Sequence, residues 1–364
     1  ILSKTYAHHL ARACWHGGRI VLRQTSPEAE GIFDFIIELH RACNGRWDDF
    51  RERGLEQEDL DTWLQFTGSF LSNLGNSLLS QNDGDRKSIP NVPKDALRKM
   101  AGISPEASAK LEEIIDRMTT AQPAQLGYPD KTNQSTYYPG REWITKEEIE
   151  AVTKLMETKG VAPENTRLTK HARGNALASE NFHVFEILQA SRPARVFLSH
   201  GDHAEEMAKI CAELTEARKY ALVDEEKTGL SQLIESFRTG DYKAFRSAHK
   251  TWVKDKAPRV EHCMGFLFFY RDPHGKRAEW LAVAGIAPPE ETNKMKQLVE
   301  KSSGLIRTLP WAVPDENYGK GPFEPSEFDV PDFAIIHVLA SVSSTVWEAM
   351  NITIDDDDGK RRGV

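Results

Sequence analysis

Glu261 is the residue whose chemistry most needs a partner. It is the single acid in the run VEHCMGFLFFY from Val260 to Tyr270, which is otherwise apolar and β-prone. An unpaired carboxylate in such a strand is expensive to bury. The residue therefore needs a cation or hydrogen-bond donors, with Arg259 and Arg271 as internal cations. A carboxylate accepts and never donates when ionised. Two other clusters carry metal-ligating residue types. His8-His9 are neighbours on a helical segment, so their rings diverge by about 100° and do not readily share one ion. Ser199–Glu206 (SHGDHAEE) gathers two histidines and three acids at a helix start. There Asp202 reads as the cap, and the first-turn acids favour the helix dipole. No H-E-x-x-H occurs in the 364 residues, and no C-x-x-C. The four cysteines, Cys14, Cys43, Cys211 and Cys263, are scattered and read as reduced, mostly buried thiols of an intracellular protein.

The elements around these residues follow from periodicity. Val260–Tyr270 is apolar on both alternating faces, which marks a buried strand. Asp272-Pro273-His274-Gly275 turns the chain, and Glu279–Ala284 returns as its hairpin partner. The first 160 residues read as helices. Ile1–Leu22 is amphipathic with a break at Gly17-Gly18, and Ser26-Pro27 looks like a cap followed by a first-turn proline. Ser104-Pro105 opens another helix, and Thr145 with Glu148 forms a capping box for a helix closed by Gly160. Thr166–Lys170, Phe182–Leu188, Arg195–Leu198 and Phe333–Ala340 are further β-prone runs. Helices are expected over 202–222, 227–237, 242–252 and 289–309. The fold class is α+β: a helical N-terminal half and a small mixed β-sheet or barrel core.

Composition narrows the function classes. The chain is 39% hydrophobic and 28% charged, with a formal net charge of −8. That mild acidity argues against a nucleic-acid surface, which needs a basic stripe. No run of about 18 apolar residues is present, so no membrane partner is expected. The chain starts at Ile1 and ends in an aspartate-rich tail, so it reads as incomplete at both ends.

From Trp252 to Glu279 the chain resembles the dipeptidyl peptidase III family, whose members carry W(I/V)-x-D-K-G-P-x-V-E-x-x-x-G-F-x-x-x-Y-R-D-P-x-G-x-R-x-E. Trp252, Asp255, Lys256, Pro258, Val260, Glu261, Gly265, Phe266, Tyr270–Pro273, Gly275, Arg277 and Glu279 match in register. Tyr6–Leu10, Ser72–Asn76, Asn165–Leu168 and Ile234–Phe237 add to the resemblance, while Leu78–Asn82 reads as an insertion. Family members are zinc exopeptidases that release dipeptides from peptide N-termini. The resemblance implies a substrate of short peptides with a free N-terminus, zinc as cofactor of the full-length enzyme, and a cytoplasmic location. The family's zinc helices, H-E-x-x-x-H and E-E-x-(R/K)-A-(D/E), are absent from these residues, so no zinc ligands are assigned here.

The substrate-binding positions implied are Glu261, Asn351 and Cys263. Glu261 and Asn351 would hold the peptide ammonium. Cys263 stands where the family has a tyrosine, and Ile354 where it has a second asparagine. The expected organisation is a lower lobe over 1–280, with helices to 160 and the β core with its helices over 161–280. The start of a helical upper lobe over 281–333 and a return strand with the acidic tail over 334–364 complete it. The expected activity is peptide binding without hydrolysis by this chain alone. The alternative is a truncated, non-catalytic paralogue that binds peptides or proteins.

Overall fold

The computed structural model describes residues 2–80, 84–122, 127–130, 135–140, 142–171, 183–189, 192–255, 258–301, 304–305, 308–310, 335–344, 353–355 and 361–363. The chain opens with α1 (Leu2–His16) and α2 (Gly18–Thr25), separated at Gly17 where the sequence placed a break. A Cβ at Gly17 would lie 2.1 Å from Trp280 Nε1, so only glycine allows this close approach. Helices α3 (Ala29–Ala42), α4 (Asp49–Glu52) and α5 (Gln57–Asn73) follow, then the hairpin β1 (Ser77–Ser80) and β2 (Gly84–Lys87). Next come α6 (Lys94–Ala101), α7 (Pro105–Met118) and α8 (Lys146–Thr158). Ser104 caps α7, its hydroxyl accepting from the Ala107 amide at 3.0 Å, and Thr145 and Glu148 close the capping box of α8. Both caps need only residues within one turn, which is why they were legible. The Ser26-Pro27 start is different: α3 begins at Ala29, and the Ser26 hydroxyl donates instead to Asn76 at 2.7 Å.

In the second half, β3 (His183–Gln189) and β4 (Arg192–Leu198) form a hairpin. Helices α9 (Ala204–Arg218), α10 (Asp224–Thr239) and α11 (Tyr242–Trp252) precede β5 (Val260–Phe268) and β6 (Glu279–Ile286). After α12 (Pro289–Glu300), β7 (His337–Val342) joins β6, giving a sheet in the order β5-β6-β7. A short hairpin of β8 (Thr353–Asp355) and β9 (Arg361–Gly363) follows. Every described pairing is antiparallel, so the sheet expected as mixed carries no parallel pair among the described residues. Thr166–Lys170 is irregular rather than a strand, although the Leu168 amide donates to the Tyr137 carbonyl at 2.9 Å. Asp202 does not cap α9. Arg167 takes its carboxylate, and His203 occupies the cap position.

Two large apolar cores and a smaller cluster of Tyr137, Tyr138, Ile144 and Ile149 result among the described residues. One large core lies among α3, α5, α6 and α7, around Phe35, Trp63, Leu97 and Leu111. The other lies where α1, α9, α10 and α11 meet the sheet, around Leu10, Leu214, Leu230, Met264 and Trp280. A buried polar seam joins them. Asn76 Nδ2 donates to Glu28 at 3.1 Å, Glu28 pairs with Lys87 at 2.5 Å, and Arg271 donates to the Ser77 carbonyl at 3.0 Å. Gln24 pins α2 to the first residues of β6, donating to the Ala278 carbonyl and accepting from the Trp280 amide.

Candidate functional site

Glu261 is the second residue of β5, an outer strand of the three-stranded sheet, opposite Gly285 on β6. Its Oε1 accepts two hydrogen bonds. One comes from Trp252 Nε1 at 2.6 Å, and the other from the His262 amide at 2.9 Å. Trp252 is the last residue of α11, so the helix C-terminus delivers the indole to the strand. Such donors favour the ionised form of a carboxylate and fix its orientation. Of the two internal cations considered for Glu261, Arg271 is committed elsewhere. Its Nε reaches Glu279 at 3.0 Å across the β5–β6 turn, both side chains being buried.

A hollow opens beside this carboxylate, bounded by α1, α10, α11 and β5. Its floor is apolar, with Leu230, Leu233 and Val260, and its acids are Glu225, Glu226, Asp255 and Glu261. Burial pushes the Glu226 carboxyl up, partly offset by its hydrogen bonds from the Leu222 and Val223 amides, while nearby Asp255 raises it further. His249 and His262 also line the hollow, and burial pushes each imidazole down to about 4, so both are neutral at pH 7.

Cys263 is only 7% exposed, and burial, with Glu261 and Cys14 nearby, pushes its thiol well above the usual range. Such a thiol is unreactive and packs as a small apolar group. The structure thus brings Glu261 and Cys263 together on one strand, while Asn351 lies outside the described residues. Sequence reasoning did not single out Trp252, Asp255, Glu226 or Tyr6 as site residues. The first two sit in the quoted signature and were open to selection. Glu226 and Tyr6 are 35 and more residues away in sequence and join only through the packing of α1 and α10.

Of the remaining candidates, His9, Asp202 and Glu206 are engaged within the fold. His9 Nδ1 lies 2.7 Å from Glu213, which also accepts from Arg12 Nε at 2.6 Å, tying α1 to α9. Glu206 accepts both terminal nitrogens of Arg23 at 2.7 and 2.9 Å. Among the described residues no three His, Cys, Asp or Glu side chains are placed to hold a metal ion. No described helix is long and apolar enough to cross a membrane.

The sequence profile of peptidase family M49 matches residues 108–363. Dipeptidyl peptidase 3 of Mus musculus is 29% identical over 97% of this chain and 50% of its own length. The Dictyostelium discoideum protein of that name is 30% identical over 98% of this chain and 51% of its own length. The fold is similar to that of DPP III from Caldithrix abyssi, with a TM-score of 0.56 at 16% identity, over 98% of this chain and 52% of that one. Dipeptidyl-peptidase III from Corallococcus sp. strain EGB gives 0.55 at 17%, over 98% of this chain and 51% of that one. The chain spans about half the length of the curated relatives it matches. By the extent of the profile match and its agreement with the fold, the chain belongs to peptidase family M49.

Proposed function

We propose that this chain is the peptide-binding half of a dipeptidyl peptidase III-like exopeptidase of the cytoplasm, and that Glu261 receives the free ammonium of a peptide N-terminus. One observation carries the reading: a carboxylate oriented by an indole and a strand amide, on an outer strand, in a hollow lined by acids. An extended peptide running along such a strand would pair through its backbone, which tolerates varied side chains, while the charged terminus sets the register. Asn351 would supply a second acceptor for the same ammonium. The unreactive Cys263 would only pack against the first residue, where a tyrosine would have offered a hydroxyl.

The zinc of the M49 enzymes does not fit the donors described here, because no three ligating side chains converge. No zinc-dependent step is therefore routed through these residues. What this chain contributes is binding and register. Residues 1–280 would form the lower lobe, 281–333 the start of the upper lobe, and 334–364 a return strand with its tail. The replacement of a tyrosine by buried Cys263 favours a second reading, a non-catalytic peptide-binding module.

Calorimetric titration of the purified chain with a short free-amine peptide tests the ammonium reading, run beside the N-acetylated peptide and a Glu261→Gln variant. Loss of binding by at least tenfold on either change is expected. Equal binding of both peptides would overturn it. A zinc-dependent hydrolysis rate from the purified chain would refute the assignment of binding without catalysis.

A further inference from the structure

The turn between β5 and β6 buries a cation whose donors the fold leaves half used. Arg277 is 0% exposed, and its guanidinium carbon lies 5.2 Å from the centre of the Tyr138 ring. Its Nη1 donates to the Tyr138 hydroxyl at 3.3 Å, an acceptor kept protonated, and so uncharged, by burial. Nε and Nη2 are buried and reach no acceptor among the described residues. The carboxylate of the same turn, Asp272, is already full. Its Oδ1 accepts from the Tyr138 hydroxyl at 2.5 Å and the His274 amide at 3.1 Å. Its Oδ2 accepts from the Lys276 amide at 2.9 Å and the Arg277 amide at 2.7 Å. Four such bonds occupy the lone-pair positions of an ionised carboxyl. Arg271 provides the contrast within this turn. Its Nη1 is also unpartnered, but Glu279 meets its Nε at 3.0 Å and supplies the counter-charge.

Burying a guanidinium with two N–H groups unanswered is costly, and arginine cannot shed its charge to escape the penalty. Which donors are free defines the guest. Nε and Nη2 share one edge of the planar group and their N–H bonds run parallel, the fork that takes both oxygens of a carboxylate. A monovalent anion matches the single charge, and full enclosure limits it to a few atoms. Gly275 and Lys276, directly before Arg277, are exposed, so local opening of the turn admits a small ion. We propose that the Nε–Nη2 edge of Arg277 is a buried site for a small monovalent carboxylate, of the size of formate or acetate. Its occupant fixes the guanidinium over Tyr138 and so ties that segment to the β5–β6 turn. The site lies at the opposite end of the β5–β6 hairpin from Glu261, and it does not depend on the peptide-binding reading.

The test uses the whole chain, with sodium formate as probe and sodium gluconate, too bulky for an enclosed site, holding the ionic strength. Exchanging about 100 mM gluconate for formate is expected to raise the thermal midpoint by about 2 °C. Arg277→Gln should abolish that gain. Arg277→Lys, which keeps the charge but not the fork, should abolish it too. A general salt effect on the surface would survive both substitutions. Crystals of the wild-type chain grown with formate should show planar density bridging Nε and Nη2. Because that density is read on the wild type, it decides the matter if neither variant folds. Water peaks alone at the fork in the presence of formate overturn the proposal, as does a midpoint gain that persists in Arg277→Gln. Formate density without a midpoint gain means binding at crystal concentration only, and overturns it as well.

Discussion

Arg271 and Glu279 show what burial demands of a charge in this protein. Both side chains are almost fully enclosed, and Nε and Oε1 meet at 3.0 Å. Arg271 also donates to the Ser77 carbonyl, and Ser344 donates to Glu279 at 2.9 Å. Removing one partner of such a pair strands the other charge, so Glu279→Gln is expected to cost about 3–5 kcal/mol, read by urea denaturation. The pair also explains why Glu261 could not be assigned from the sequence. Arg271 follows Glu261 by ten residues, but the β5–β6 turn carries it to Glu279, which lies beyond that turn. The buried histidines give a second prediction at this scale. His203, His249 and His262 each titrate near 4 in the fold, pushed down by burial, against about 6.5 in the unfolded chain. Between those values the unfolded state binds more protons. Their contribution to stability is therefore complete above about pH 6.5 and is lost as pH falls through 4. The thermal midpoint should fall steadily from pH 6.5 to 4.5, and His262→Asn should flatten that slope.

At the scale of elements, two glycines decide how closely helices approach the sheet. A Cβ on Gly265 of β5 would come within 2.2 Å of the Phe245 ring on α11, and one on Gly17 within 2.1 Å of Trp280. Gly265→Ala and Gly17→Ala are each expected to lower stability by about 1–3 kcal/mol through overpacking, measured by chemical denaturation. Gly265→Ala should also displace α11 and with it Trp252, weakening any ligand held by Glu261. Gly54→Ala, at an open position, provides a control for the space term, though its φ of +83° carries its own strain. The helix caps divide by range. Ser104 and Thr145 bond within their own first turn, and their sequence signatures are reliable for that reason. Ser26 and Asp202 are also cap-forming residue types but are captured by Asn76 and Arg167, tens of residues away. A local pattern cannot register that competition.

For the molecule as a whole, the relevant fact is that the chain spans about half the length of its M49 relatives. Val338 and Leu339 on β7 are 55% and 49% exposed, and Ile286 on β6 is 42% exposed. Neighbouring exposed apolar side chains on an outer strand favour association. The purified chain is expected to self-associate with rising concentration, and Leu339→Lys to reduce this, as followed by sedimentation velocity.

Residue type and local spacing alone determined the helical first half, the β5–β6 hairpin, the caps of α7 and α8, and the family, because each is carried by interactions within a few residues or by a fixed string of them. The tertiary structure decided where the buried charges pair, that every described strand pairing is antiparallel, and that Tyr6 from the first helix and Glu226 from α10 stand beside Glu261. Those outcomes depend on which helix faces meet the sheet, and packing between distant segments sets that meeting. It leaves no periodic mark on the sequence.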